Sequence, residues 1–359
     1  MASANAAVLV PLCGVVLGAV FGVFAHRTGF CTMGAISDAA MFGDLRRLRM
    51  WMLAAGVAVL GTQALHVSGA IDLARSFYTA PRLPWFAHLL GGVLFGIGMT
   101  LASGCGSRNL VRLAGGNLKS LVVLLVLGMA AYATMKGVLA MPRVQWIEGP
   151  RVTFAASQDL PALLPAVGRS ALAILLGGAL VIGALFDRGF RSDRGFVAGG
   201  VAIGAAVVGG WFATGHLGFI PEDPDTLEAI YVGTNSHRPE SFTFVAPVAY
   251  GLELALLWTD ASLRITFGVA VVAGVFAGAL ANVLSTRQLR WEVFASPGDF
   301  GRHVLGAALM GFGGVCALGC TIGQGLSGLS TLALGSLITV AGIAGGCVAT
   351  LRWLYARAG

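Results

Sequence analysis

Two thiols stand in matching glycine settings, Ser103-Gly104-Cys105-Gly106-Ser107 and Leu318-Gly319-Cys320-Thr321-Ile322-Gly323. Glycine beside cysteine lets the backbone turn sharply and lets a ligand come close to the sulfur. If a short helix restarts after each turn, its free N–H groups point back at the turn. Such an end favours an anion, because unpaired amides and the helix dipole both attract negative charge. A protonated thiol is a weak donor, suited to holding an anion without trapping it. A third segment, Arg27-Thr28-Gly29-Phe30-Cys31-Thr32-Met33-Gly34, again puts a thiol among small and polar residues.

A single Gly-Cys pair reads equally as helix packing by small residues with cysteine as filler. Two pairs at corresponding places favour a site, while Cys31 stays open between the readings. The candidate residues for binding or translocation are Cys31, Gly104, Cys105, Gly106, Gly319, Cys320 and Thr321. The remaining cysteines are Cys13, Cys316 and Cys347. No CxxC pair and no Cys/His spacing of a structural zinc site occurs, so neither a disulfide framework nor a metal or other cofactor is expected. Cys316 and Cys320 would share a face of an unbroken helix, but Gly319 predicts a break.

The elements that carry these thiols belong to an apolar chain. Of 359 residues, 57% are hydrophobic and only 11% charged, too few charges for the chain to cover its own surface with polar groups in water. Apolar stretches near the roughly 20 residues of a spanning helix recur at 6–25, 50–68, 86–103, 119–140, 170–186, 196–213, 243–259, 265–284, 303–318 and 331–352. The expected fold is an all-α membrane protein with about nine or ten hydrophobic segments plus short half-helices. The first stretch has no basic residue ahead of it and no cleavage site after it, so it is expected to stay as a span. A net charge of +7 would suggest nucleic acid in a soluble protein. Scattered over short loops, it reads as a membrane-protein charge bias instead, and no nucleic-acid partner is expected.

An internal repeat organises the chain. Gly91, Leu94, Gly96, Gly98, Ala102, Gly104 and Cys105 match Gly306, Leu309, Gly311, Gly313, Ala317, Gly319 and Cys320, 215 positions on, and after one extra residue LKSL (118–121) faces LGSL (334–337). One membrane domain of two related halves is expected, about 1–140 and 170–359, joined by a polar connection at 141–169. Gly-interrupted apolar segments at corresponding places in two halves point to a site near the bilayer midplane. Whether the halves run parallel or inverted depends on the number of spans between them, which the sequence leaves open.

The loop at 214–242 carries Glu222, Asp223, Asp225, Glu228 and Glu240 against Arg238 alone, and is expected outside; Arg188, Arg191 and Arg194, one span away, are then cytoplasmic. Arg46, Arg47 and Arg49 receive no side. Arg108, Arg112 and Lys119, which follow Cys105, either attract anions to an entrance or line a headgroup surface. Glu253, inside an apolar stretch, either binds a coupling proton or lies near an interface. His66, His88, His216 and His303 sit near segment ends without pairing and read as interface residues rather than haem ligands. The absence of a Walker A motif removes ATP as a direct energy source.

The segments GFCTMGAISDAAMFGDLRRLRMW (29–51), GMTLASGCGSRNLVRLAGGNLKSLVVLL (98–125), GGWFATGHLG (209–218) and ALGCTIGQGLSGLSTLALGS (317–336) resemble the YeeE/YedE family of bacterial membrane proteins. The resemblance covers nearly the whole chain. It implies uptake of thiosulfate across the bacterial inner membrane, along a central path in a repeated helical fold, by hydrogen bonding to a few thiols. On this chain those thiols are Cys105 and Cys320, with Cys31 a third. The resemblance also suggests a small cytoplasmic sulfur-carrier protein as partner. Some members place a further thiol within 234–245, where this chain has none, and Ser236 or Ser241 is the candidate replacement. The alternative in another class is a membrane sulfurtransferase that takes sulfur as a cysteine persulfide; a membrane anchor for redox subunits is a third.

Overall fold

A bilayer core offers no water to backbone amides, so each spanning segment must satisfy them internally, and helices do so. The computed structural model describes residues 2–222 and 227–358, so Asp223 and Asp225 of the acidic loop lie outside the described residues. Its main helices are α1 (Ala2–Thr28), α2 (Thr32–Ser37), α3 (Arg46–Val67), α4 (Trp85–Leu101), α5 (Gly106–Ala114), α6 (Leu118–Met135), α7 (Arg169–Leu185), α8 (Arg194–Phe212), α9 (Val245–Leu256), α10 (Phe267–Thr286) and α11 (Pro297–Cys316). A helical run over 321–330, α12, is π-helical at Gly323–Gly328, and α13 (Leu334–Ala358) follows. Two short antiparallel ribbons, Arg82–Leu83 with Val152–Thr153 and Phe219–Ile220 with Ile230–Tyr231, brace the loops.

Among the described residues seven helical stretches are long and apolar enough to cross a membrane, and α7 and α9 are shorter apolar helices. α11 is outside the seven, its first turns carrying Asp299, Arg302 and His303. Every apolar stretch read from the sequence is helical; the fourth ends early, at Met135, where Lys136 follows. Large apolar side chains such as Leu12, Val16, Met129, Ile174, Leu175 and Ile182 face outward. In a soluble protein such a surface would be a liability; on helices long and apolar enough to span a membrane it is the surface expected.

The two ends of the bundle differ in charge. An Arg49–Asp187 ion pair at 2.9 Å ties the Arg46–Arg49 cluster to the Arg188–Arg194 cluster, so both stand at one end, the basic end. The Gly116–Arg290 and Leu118–Glu292 backbone contacts put the loop after α10 there too. At the opposite end His216 Nδ1 meets the Ala70 carbonyl at 3.0 Å, and Leu160 N–H bonds the Leu332 carbonyl at 3.0 Å. This end carries Glu148, Asp159, Glu222, Glu228, Glu240 and Glu253. Glu253 is paired there, accepting from Lys136 Nζ at 2.9 Å and the Tyr132 hydroxyl at 2.8 Å.

At the heart of the fold α4 crosses α11 antiparallel. A Cβ added to Gly98 would sit 2.5 Å from the Gly306 carbonyl oxygen, and one added to Gly306 would sit 2.6 Å from that of Gly98. Gly91 and Gly313 stand in the same reciprocal relation, each 2.6 Å from the other's carbonyl. Only hydrogen at these four positions lets the backbones touch. Each crossing helix also packs on the long return helix that follows the other's break: α4 on α13, and α11 on α6.

Candidate functional site

Both crossing helices stop in the same way. After α4, Ser103 is left-handed (φ 57°), Gly104 has φ 151°, Gly104 N–H bonds the Met99 carbonyl at 2.8 Å, and Ser103 N–H bonds that of Thr100 at 3.3 Å. After α11, Leu318 has φ 55° and Gly319 φ 159°, Gly319 N–H bonds the Gly314 carbonyl at 2.8 Å, and Leu318 N–H bonds that of Val315 at 3.1 Å. This is a Schellman ending with the glycine one position later than usual. The break at Gly319 separates Cys316 from Cys320. Beyond each ending a helix restarts, with Cys105 capping α5 and Cys320 preceding α12.

Since α4 and α11 run in opposite directions, α5 continues towards the basic end and α12 towards the acidic end, and their N-termini face the interior. Free amides and dipole ends thus converge where the two thiols lie, an arrangement that favours negative charge. Cys320 Sγ accepts from Gly323 N–H at 3.4 Å and is also approached by the N–H groups of Ile322 and Phe244. Cys31 caps α2 in the same manner, accepting from Gly34 N–H at 3.4 Å. Sulfur lone pairs occupied by amides leave each S–H free to donate elsewhere. Cys105 differs, its Sγ lying 3.3 Å from Ser107 Oγ.

Cys31, Cys105 and Cys320 are all buried, and Cys105 stands within electrostatic reach of both of the others. Cys347, whose Sγ accepts from Thr100 Oγ1 at 3.3 Å, stands in the same relation to Cys31. Phe21 joins their surroundings: its ring lies 6.3 Å from Phe30, 5.5 Å from Phe242 and 5.7 Å from Phe244. Gly106 faces the Phe244 side chain, and Thr321 is buried with its hydroxyl unpartnered among the described residues.

Two cavities lie at opposite ends of the bundle, share no lining residue, and include none of Cys31, Cys105 and Cys320 in their linings. One, about 230 Å³, opens at the acidic end and reaches Thr243, Leu318 and Gly319; Arg143, Asn235, Ser236, Glu240 and Tyr250 also line it. The other, about 270 Å³, lies at the basic end among His26, Arg108, Val111, Arg112, Arg290 and Glu292. Of the three cations after Cys105, Lys119 is paired with Asp299 at 2.8 Å and Arg112 with Glu292 at 3.6 Å. Arg108 makes no ion pair among the described residues and lines the cavity one turn from Cys105.

Neither Ser236 nor Ser241 bonds a cysteine among the described residues. Ser241 Oγ is spent on the Val207 carbonyl at 2.7 Å and Ser236 Oγ on Glu240 at 2.7 Å; the neighbour of Cys320 is Thr243, Oγ1 to Sγ 3.9 Å. Sequence reading also passed over two amides that hold the breaks. Asn109 Nδ2 bonds the Gly104 and Cys105 carbonyls at 2.9 and 3.1 Å, and Gln324 Nε2 bonds that of Ala317 at 2.6 Å. They are themselves 215 positions apart, a signal that scoring amide for amide would have found. The histidines sit at helix ends as expected, His88 Nδ1 on Thr339 Oγ1 and His303 Nδ1 on the Asp299 carbonyl, both at 2.8 Å.

Spanning helices around a buried polar centre, with an apolar outer surface, define a multi-pass membrane protein. Within that class, the chain belongs to the Sulphur transport family, whose profile matches residues 27–349. It is 24% identical over 323 residues to the thiosulfate transporter TsuA of Escherichia coli (strain K12), covering 88% of this chain and 86% of that protein. It is likewise 24% identical over 380 residues to the thiosulfate transporter TsuA of Spirochaeta thermophila (strain ATCC 700085 / DSM 6578 / Z-1203), covering 96% and 98% of the two chains.

Proposed function

We propose that this chain imports thiosulfate across a bacterial inner membrane, handing the anion between the thiols of Cys320, Cys105 and Cys31. The carrying observation is that Cys105 and Cys320 stand buried at two matching helix breaks, with Cys105 within electrostatic reach of Cys320 and of the buried Cys31, while a cavity lies at each end of the bundle. The names of the two relatives support the substrate. The chemistry fits: a dianion in hydrocarbon is costly unless donors replace its water. Thiol and amide donors replace that water weakly enough to let the anion leave, as conduction requires.

The antiparallel crossing of matched helices supports two inverted halves, about 1–140 and 170–359, joined by 141–169 and wrapped by lipid, with Gly104, Gly106, Gly319 and Thr321 shaping the passage. The charge asymmetry makes the basic end cytoplasmic. The anion then enters by the cavity at Glu240 and Thr243 and leaves past Arg108, where a small sulfur-carrier protein collects it. The thiols act as donors and no persulfide forms.

Uptake of radiolabelled thiosulfate by cells lacking other thiosulfate routes tests this. Cys105→Ala and Cys320→Ala are each expected to lower uptake at least about ten-fold at equal expression, the value of a hydrogen bond to a charged group. Serine keeps a donor but cannot carry a persulfide, so Cys105→Ser retains partial uptake. Wild-type rates in both alanine variants would refute the relay, and a dead Cys105→Ser beside an active wild type would favour sulfur transfer.

A further inference from the structure

The wall of the cavity at the acidic end carries an acid that the relay does not use. Glu240 is a buried carboxylic acid on its wall, its Oε2 taking one hydrogen bond, from Ser236 at 2.7 Å, while its backbone N–H and carbonyl are both tied to Thr214 Oγ1. Tyr78, 4% exposed, does not line the cavity but follows Phe77, which does, the two rings 4.1 Å apart; its hydroxyl has no partner among the described residues, and it lies within electrostatic reach of Cys320 and Glu240. An orphaned phenol in a packed interior costs free energy unless something fills its place. We propose that Tyr78 and Glu240 form an anion subsite ahead of Cys320, binding the sulfonate-type oxygens of the cargo only while Glu240 carries a proton. The proposal rests on the transport reading above and adds an admission step to it.

An ionised carboxylate repels a dianion, whereas a neutral carboxyl donates to it. The groups facing Glu240 leave this switch to the acid itself. Arg143, on the same cavity wall, is paired with Glu148 and bonds the Thr134 carbonyl; Tyr78 and Tyr250 are neutral phenols. Arg238, two residues away in the chain, makes no ion pair among the described residues. Burial pushes the Glu240 carboxyl up to about 7, so its titration falls in the physiological range. The oxygens of thiosulfate would meet Tyr78 and the protonated acid while its terminal sulfur faces the Cys320 thiol.

The test uses the purified full chain in proteoliposomes and two thiol reagents, the anionic sulfonatoethyl methanethiosulfonate and the neutral methyl methanethiosulfonate, with labelling of the Cys320 peptide followed by mass spectrometry. Their rate ratio cancels the thiolate fraction. In the wild type the anionic-to-neutral ratio is expected to fall about ten-fold from pH 6 to pH 8. Glu240→Gln is expected to flatten that slope, and Tyr78→Phe to lower the pH 6 ratio several-fold. A flat wild-type ratio, an unchanged slope in Glu240→Gln, or failure of both reagents to reach Cys320 would overturn the subsite. Thiosulfate uptake measured in the same vesicles keeps the two claims apart: no wild-type uptake sinks the transport reading whatever the labelling shows.

Discussion

The Gly104-Cys105 and Gly319-Cys320 breaks share one backbone and differ in almost everything attached to it. Both end a crossing helix on a left-handed residue, both restart a helix at a thiol, and both are held by an amide, Asn109 or Gln324. The first then runs into charge, with Arg108 and Arg112 within two turns and a polar cavity beyond. The second runs into hydroxyls, Ser327 and Ser330 bonding the Phe242 and Ser327 carbonyls at 2.7 and 2.6 Å, and carries no charge over 321–330. Backbone geometry is kept at the two thiols; side chains diverge towards the two differently charged ends of the molecule.

The comparison is broken most severely at the crossing that both units share. Gly98→Leu and Gly306→Leu each drive a side chain into the other's carbonyl, and each is expected to cost more than about 3 kcal/mol, beyond ordinary overpacking. Loss of the monodisperse peak in size-exclusion chromatography would report it; two variants behaving unlike each other would show that the crossing is not reciprocal.

The next test concerns the bridges that precede the return helices. At the acidic end Asp159, 1% exposed at its side chain, pairs with Arg169; at the basic end Glu292, 54% exposed, pairs with Arg112. Removing one partner of a buried pair strands a charge, so Arg169→Gln is expected to destabilise by about 3 kcal/mol. Arg112→Gln should cost under about 1 kcal/mol. Thermal unfolding of the two variants side by side checks the ranking, and equal losses would erase the distinction between the ends.

The smallest effect separates the two left-handed residues. Neither Ser103 nor Leu318 gains from φ above 50°, and glycine would remove a strain of about 1 kcal/mol at either site. Leucine is the bulkier and is 39% exposed, so Leu318→Gly should stabilise more than Ser103→Gly; thermal midpoints decide, and the reverse order would contradict the strain argument.

Much of this fold was open to reading because its signals are local. Apolar length gave the ten longer helices, α1, α3, α4, α6 to α11 and α13, and glycine next to cysteine gave both breaks. The offset of 215 placed Gly98 and Gly306 in correspondence, but that they touch depends on antiparallel packing, which no local pattern carries. That Cys31 lies within electrostatic reach of Cys105 was hidden for the same reason, since 74 residues separate them in the chain. Within 234–245 the hydroxyl beside a motif thiol is that of Thr243, which the sequence did not single out. The chain turns so that Thr243 faces Cys320, while Ser241 faces the Val207 carbonyl. Glu240 looked like one more loop acid until the cavity around it was visible.

Selenosulfate, which keeps the charge and shape of thiosulfate and replaces its terminal sulfur with selenium, offers the most direct test. In crystals of the wild-type chain grown with it, an anomalous selenium peak is predicted within van der Waals contact of the Sγ of Cys105 or Cys320. A peak confined to surface arginines, or an interior peak that persists unmoved in the Cys105→Ala/Cys320→Ala double variant, would contradict the thiol relay.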